Sequence, residues 1–137
     1  MVMSLAGRKI LIADDEPLIA MDLSQAFEAL GAETLLAHDL GSASLMARVE
    51  PIWAAVIDLK LKDQSALAVC AVLQYREIPF VIYTGYSEKE AGAYSSKVVT
   101  KPDLYAVIEK LTVIACSNLP RPRPEKPTLK QRVARTA

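Results

Sequence analysis

Five short apolar segments alternate with stretches of helical period, and this alternation restricts the chain to few folds. The segments are KILIA (9–13), AETLLA (32–37), WAAVI (53–57), FVIY (80–83) and KVVT (97–100). Continuous apolar runs of this length are typical of parallel strands that are covered on both faces. Strands that alternate with helices predict an α/β sandwich with a parallel sheet and right-handed crossovers.

The stretches between these segments have the spacing of amphipathic helices. After the first strand, six apolar residues keep close to a helical period: Leu18, Ile19, Leu23, Ala26, Phe27 and Leu30. Gly31 then ends the pattern. Further helices are predicted over 41–50, 64–75 and 104–115. Residues 86–95 have almost no apolar stripe and contain Gly92, so we predict a shortened fourth helix. For five such units we expect a flavodoxin-like (βα)5 doubly wound sheet with strand order 2-1-3-4-5.

Two isolated cysteines lie within predicted helices. The third helix is expected to bury Leu67, Cys70 and Leu73, and Cys116 ends the last helix. Neither cysteine has the spacing of a metal site or a redox motif. We therefore expect two buried thiols rather than a disulfide or a zinc site.

The formal net charge of zero hides a difference between the body of the chain and its C-terminal segment. Residues 1–120 carry 10 Lys and Arg against 15 Asp and Glu, whereas residues 121–137 carry 6 against 1. An acidic body lacks the positive face that nucleic acid requires, so no direct nucleic-acid binding is expected. No apolar run approaches the roughly 20 residues of a membrane span, and residues 1–7 lack the pattern of a secretory signal. The expectation is a cytoplasmic protein without membrane binding.

The composition changes sharply from Asn118 onward. The segment NLPRPRPEKPTLKQRVARTA has four prolines within eight residues and few apolar groups. Such a segment cannot build a packed core. We predict a folded domain over 7–117 and a disordered, Pro-rich basic tail over 118–137, which is either a solvated segment or a docking peptide for an acidic partner.

Candidate site residues follow four of the five predicted strands. They are Asp14, Asp15 and Glu16 after the first strand, Asp58 after the third, Thr84 after the fourth and Lys101 after the fifth. Each has a structural explanation by itself, because aspartates cap helices and the Thr-Gly and Lys-Pro pairs form turns. Taken together they indicate a site, since ligands of parallel α/β sheets bind at the carboxyl ends of the strands.

The predicted strand order brings three carboxylates together. With neighbouring strands about 4.8 Å apart, Asp14, Asp15 and Asp58 repel one another unless protons or a divalent cation neutralise them. Oxygen ligands from carboxylates suit Mg²⁺. The sequence therefore predicts a Mg²⁺ and phosphate site.

Asp58 lies between that cation site and two groups that suit a phosphoryl oxygen. Thr84 offers a hydroxyl and Lys101 an ammonium. This arrangement is what a carboxylate nucleophile toward phosphorus needs. The predicted product is an aspartyl phosphate on Asp58.

These residues resemble the receiver domains of two-component response regulators. The segments LIADDEP, Asp58, YTG and TKP fall in that family's order over about residues 7–117. The resemblance implies that Asp58 is the phosphoacceptor, that Asp14 and Asp15 form the acidic pair, and that Thr84 is the switch hydroxyl. It also implies that Lys101 contacts the phosphoryl group and that the Lys101-Pro102 bond is cis. Asp15 and the backbone carbonyl of Lys60 would be direct Mg²⁺ ligands.

Finer features are similar to the single-domain receivers of alphaproteobacteria called FAT GUY. The loop DLKLKDQSALAV and the strand IPFVIYTGY carry this likeness, although Tyr83 precedes the threonine. The family usually has proline where this chain has Lys62 and an aromatic switch residue where it has Val98.

Two further positions bear on how long the phosphoryl group persists. Lys60 and Tyr86 occupy places that tune dephosphorylation in the family. An altered lifetime is expected, of unassigned direction.

We expect a stand-alone phosphorylatable receiver that signals by protein contact, not an enzyme with an external substrate. Its phosphodonor would be a histidine kinase or a histidine phosphotransfer protein, and its target a downstream protein. One alternative is a pseudo-receiver that binds partners without phosphate. Another is a phosphatase with Asp58 as nucleophile, although Lys60 stands where such enzymes carry a second aspartate. A nucleotide-binding domain is disfavoured because no Gly-rich loop follows the first strand.

Overall fold

A five-stranded parallel sheet is the centre of the computed structural model. The structure describes residues 4–85 and 88–116. In chain order, the strands and helices of this part of the chain are β1 Lys9–Ala13, α1 Pro17–Ala29, β2 Glu33–Ala37, α2 Leu40–Val49, β3 Ala54–Ile57, β4 Lys60–Leu61, β5 Gln64–Ser65, α3 Leu67–Tyr75, β6 Phe80–Thr84, a 3₁₀ segment Glu88–Lys97, β7 Val98–Thr100 and α4 Leu104–Cys116.

The sheet has the order β2-β1-β3-β6-β7, while β4 and β5 form a separate antiparallel hairpin. Numbered without the hairpin, this is the predicted order 2-1-3-4-5, and the prediction is confirmed. β1 is an interior strand that pairs with β2 and β3, and both of its faces are covered. Ile10 and Ile12 pack into one core cluster, and Leu11 and Ala13 pack into the other.

Helices cover the two faces in pairs. α1 and α4 bury Phe27, Val107 and Leu111 against one face, while α2 and α3 bury Ala47 and Leu73 against the other. Each helix contributes an apolar stripe and leaves its polar side to solvent. The carboxyl ends of all five strands consequently meet at one open edge between the helix layers.

The ends of α1 follow from local chemistry. Pro17 starts the helix, where a missing N–H costs nothing. Gly31 has a φ of 97°, and a Cβ there would lie 3.2 Å from backbone atoms of Ala6. The prediction that Leu18 belongs to the buried stripe is wrong, because Leu18 is 76% exposed. It lies about 200° around the helix from the buried Ala20.

Polar contacts hold both ends of α2, and those at its C-terminal end join it to α3. The Asp39 side chain caps α2 by accepting a hydrogen bond of 2.7 Å from the N–H of Ser42. That bond lowers the pKa of Asp39. At the other end of α2, Arg76 donates to the carbonyls of Ala47 and Glu50 at 2.6 and 3.0 Å.

The third predicted helix begins later than expected. α3 starts at Leu67 rather than at residue 64, because Gln64 and Ser65 belong to the hairpin. Leu67 is half-buried, whereas Cys70 and Leu73 are buried as predicted. Burial raises the pKa of the Cys70 thiol to about 12.

The second cysteine departs from the prediction. Cys116 is half-buried rather than buried. It is the last residue of α4 as the structure has it. The expectation of two buried thiols therefore holds for Cys70 alone.

The shortened fourth helix is confirmed. Glu88–Lys97 forms a 3₁₀ segment with a kink at Gly92 and Tyr94. The ring of Tyr94 packs edge-on against Phe80, with ring centroids 5.5 Å apart. This contact and the buried Ala91 hold the segment against the sheet.

The single tryptophan lies at the opposite end of the sheet from the open edge. Trp53 immediately precedes β3, and the Arg8 guanidinium lies 5.3 Å from the centroid of its ring. Such a contact is an attractive cation–π interaction.

Tyr86 and the tail over 118–137 lie outside the described residues, so the predicted end of the folded domain at residue 117 stays a prediction. Within the described ranges, no helix is long and apolar enough to cross a membrane.

Candidate functional site

Two buried carboxylates lie side by side at the open edge. The register pairs Ala13 of β1 with Ile57 of β3, and the N–H of Asp58 donates to the Ala13 carbonyl at 2.8 Å. Asp14 and Asp58 therefore follow neighbouring strands at the same level. They are 1% and 5% exposed. The sheet thus buries two acidic groups next to each other.

Lys101 supplies the cation that these carboxylates need. Its Nζ lies 2.8 Å from Oδ2 of Asp58, 2.9 Å from Oδ2 of Asp14 and 3.3 Å from Oε1 of Glu16. The N–H of Lys101 donates to the Thr84 carbonyl at 2.8 Å, which extends the pairing of β6 and β7. The Lys101–Pro102 bond is cis.

The protonation equilibria of this cluster follow from burial and from the ion pairs. Burial raises the pKa of Asp14, although its hydrogen bonds from the Glu16 N–H and Lys101 act in the other direction. Burial opposes the charge on Lys101, but hydrogen bonds to Asp58 and Asp14 outweigh it and raise the pKa of the ammonium. Lys101 therefore stays charged between the two carboxylates.

Asp15, the third predicted acid, is held by the hairpin of β4 and β5. Oδ2 of Asp15 accepts a hydrogen bond of 2.8 Å from the N–H of Lys62, in the turn of the hairpin. Oδ1 of Asp14 accepts one of 2.9 Å from the N–H of Glu16. These bonds orient both acids of the predicted pair.

Four carboxylates come close enough to share a cation. One oxygen each from Asp14, Asp15, Glu16 and Asp58 lie within 4.8 Å of one another. Two oxygens on opposite sides of a Mg²⁺ ion are about 4.2 Å apart, which is comparable to the spread of this set. The donor set of hard oxygens fits a divalent cation of this kind.

Thr84 lies at the same edge. It is the last residue of β6, not the first residue after it, and it is fully buried. Because Ile57 pairs with Ile82, Thr84 lies one residue beyond the level of Asp58. Thr84 also pairs with Thr100, the residue before Lys101.

Two contacts of the site were not predicted. Glu16 contacts Lys101, and its position beside the predicted acidic pair was the available signal. Tyr83 lies next to the site, and the Lys101 Nζ is 5.8 Å from the centroid of the Tyr83 ring. Its hydroxyl accepts a hydrogen bond of 2.9 Å from the N–H of Asp103, and burial raises its pKa. No sequence pattern indicated this contact.

The remaining predicted positions lie around the site. The N–H of Lys60 donates a long hydrogen bond of 3.5 Å to Oδ1 of Asp58. The Nζ of Lys60 lies 4.0 Å from Oε2 of Glu90 in the 3₁₀ segment. Val98 is buried in the core cluster that contains Ala91. The carbonyl-ligand role of Lys60, its tuning role and the switch position at Val98 stay predictions.

A search with models of known protein families finds no match to this chain. Among curated proteins, the chain is 30% identical to the photosynthetic apparatus regulatory protein RegA of Rhodovulum sulfidophilum over 134 residues. That alignment covers 90% of this chain and 70% of the relative.

Solved structures match the fold. A CheY-like response regulator receiver domain protein from Methanospirillum hungatei superimposes with a TM-score of 0.72 at 24% identity, over 80% of this chain and 94% of the other. A response regulator protein from Burkholderia pseudomallei, solved with a phosphorylated aspartic acid, calcium ion and citrate, has a TM-score of 0.68 at 19% identity. That alignment covers 94% of this chain and 82% of the Burkholderia chain.

Proposed function

The chain belongs to the response regulator receiver family, and from that premise we propose that it accepts a phosphoryl group on Asp58 in two-component signalling. The observation that carries the proposal is the ion pair of 2.8 Å between Lys101 Nζ and Asp58 Oδ2 at the carboxyl end of the sheet. It places a nucleophilic carboxylate beside a fixed cation and next to three further acids.

The chemistry follows from this arrangement. An Asp58 oxygen forms a bond to phosphorus while the bond between phosphorus and the donor's imidazole nitrogen breaks, and that nitrogen takes up a proton. In this proposal Lys101 moves from Asp14 to a phosphoryl oxygen, and Thr84 donates its hydroxyl to another.

We propose Mg²⁺ as the cation, held by Asp14, Asp15 and Asp58 together with the carbonyl of Lys60. When bound, it supplies positive charge that offsets the negative charge of the phosphoryl oxygens. Asp14 and Asp15 hold it through oxygens, while the Glu16 and Lys62 amides orient those acids. Calcium would satisfy the same donors at longer distances, and the Burkholderia relative carries calcium.

The proposed donor is a histidine kinase or a histidine phosphotransfer protein, and the proposed output is contact with a downstream protein. Turnover of an external substrate is not part of the proposal. The proposed likeness to the FAT GUY group rests on the Thr84-Gly85 strand end and on the 3₁₀ segment in place of a fourth helix, while Tyr83 before the threonine departs from that group's pattern.

Intact-mass spectrometry tests the proposal. After incubation with Mg²⁺ and a small phosphodonor such as acetyl phosphate, the unaltered chain should gain the mass of one phosphoryl group. Asp58→Asn should gain none. Asp63→Asn is the matched control, since Asp63 is an exposed aspartate of the same loop whose φ of 65° suits asparagine. An adduct that persists in Asp58→Asn, or that never forms in the unaltered chain, refutes the proposal.

A further inference from the structure

The loop after Asp58 forms a small hairpin. Lys60 pairs with Ser65 and Leu61 with Gln64, so that Lys62 and Asp63 form a two-residue turn. Both turn residues have a positive φ, of 51° and 65°. This is the turn type that suits a tight hairpin, and residues with a Cβ adopt it only when the surroundings require it.

Apolar contacts hold the hairpin in place. Leu59 and Leu61 are 2% and 0% exposed and belong to one core cluster. The N–H of Ala66 donates to the Leu59 carbonyl at 2.8 Å and closes the base of the hairpin. The turn is therefore presented to the rest of the site by a fixed support.

The turn makes one polar contact across the site. The N–H of Lys62 donates to Oδ2 of Asp15 at 2.8 Å, between residues 47 positions apart in the chain. Within residues 4–85 and 88–116, the Asp15 side chain makes this one hydrogen bond. Asp14 and Asp58 differ from Asp15, because both pair directly with Lys101.

We propose that the backbone N–H of Lys62 is a positioning group for the divalent cation site. By binding one oxygen of Asp15, it fixes the carboxylate so that the other oxygen is presented to the cation. The Lys62 side chain, which is exposed, is dispensable for this role. The inference rests on the proposed function, because it assigns a support to the cation site of that proposal.

The decisive variant replaces the N–H of Lys62 by an ester oxygen, which removes the donor and keeps the side chain. In calorimetric titrations of the full chain with MgCl₂, its affinity should fall about 10- to 100-fold, as it does when partners that orient metal ligands are lost. Lys62→Pro also lacks the donor and cannot adopt the turn, so it should weaken binding at least as much. Lys62→Gly keeps the N–H and tolerates the positive φ, and should bind like the unaltered chain.

Two readouts separate positioning from a purely structural role. Urea unfolding in EDTA reports the stability of each variant without a cation, and a structural role would lower that stability while leaving the Mg²⁺ affinity of the folded chain unchanged. Because coupling between two events is reciprocal, Mg²⁺ should also slow hydrogen exchange of the Lys62 amide in the unaltered chain.

The outcomes are distinguishable. Equal Mg²⁺ affinity in the ester variant and the unaltered chain overturns the positioning role and leaves the proposed function standing. A loss in Lys62→Gly as large as in the ester variant also overturns it, because the side chain would then be responsible. Absence of Mg²⁺ binding by the unaltered chain overturns both proposals.

Discussion

Replacing Lys101 by methionine removes the ammonium that lies between two buried carboxylates and keeps a side chain of similar length. Its Nζ contacts oxygens of Asp58 and Asp14 at 2.8 and 2.9 Å, and the three side chains are 6%, 2% and 10% exposed for Asp58, Asp14 and Lys101. The substitution therefore leaves two desolvated negative charges next to each other without their counter-ion.

The expected loss follows from the burial of these groups. Removing one partner of a buried ion pair costs about 3–5 kcal/mol. The contact with Glu16 adds little, because that side chain is 61% exposed. At neutral pH without divalent cations, we expect the free energy of unfolding to fall by about 3 kcal/mol.

The loss should depend on pH and on Mg²⁺. Lys101 lowers the pKa of Asp14 against the effect of burial, so the pKa of Asp14 rises further in the variant. As the pH falls through that folded-state pKa, protonation of Asp14 relieves its repulsion with Asp58 and the deficit shrinks. Saturating Mg²⁺ should stabilise Lys101→Met by more than it stabilises the unaltered chain, because in the variant the ion replaces the lost positive charge.

Urea unfolding followed by Trp53 fluorescence measures these effects. Lys89→Met is the matched control, since Lys89 is exposed and its substitution should change stability by less than about 0.5 kcal/mol. A Lys101→Met variant that is as stable as Lys89→Met at neutral pH in EDTA would refute the reasoning. So would a deficit that grows as the pH is lowered.

Three further predictions concern packing and local contacts. Phe27→Ala should lower the free energy of unfolding by about 3–5 kcal/mol in urea, because Phe27 is fully buried between α1 and the sheet. Arg76→Met should lower it by about 1–2 kcal/mol, through loss of the hydrogen bonds to the end of α2; Arg76→Lys should recover part of this, since it keeps a cation at the helix C-terminus. In a Cys116→Ser background, Cys70 should react with a thiol reagent only after unfolding, because it is buried and its pKa is raised to about 12; rapid labelling of the native protein would contradict this.

The sheet was predictable because its signal is repeated. Five apolar segments with helical spacing between them admit few arrangements, and the carboxyl ends of β1 and β3 then bring Asp14 and Asp58 together. The hairpin was not predictable, since each of its strands has two residues and its turn, Lys62–Asp63, lacks the glycine that usually marks this geometry. The predicted start of α3 at residue 64 is wrong for the same reason.

The contacts within the site were beyond the sequence. Lys101 reaches Glu16 across 85 positions of the chain, and Tyr83 accepts a hydrogen bond from Asp103. Such pairs depend on side-chain directions that periodicity does not define. Leu18 illustrates the same limit, because an apolar residue in the first turn of α1 fits the average period and still points to solvent.

Trp53, which contacts Arg8, and Tyr83, which lies near Lys101, give optical signals from different places in the protein. Trp53 is the chain's single tryptophan, and it lies five residues, or about 16 Å of extended strand, from Asp58. The buried Tyr83 lies beside Lys101 instead. A cation bound at the proposed site would lie near Tyr83, one of the chain's five tyrosines, whereas a change in tryptophan emission after the proposed phosphorylation would require the disturbance to reach the far end of β3.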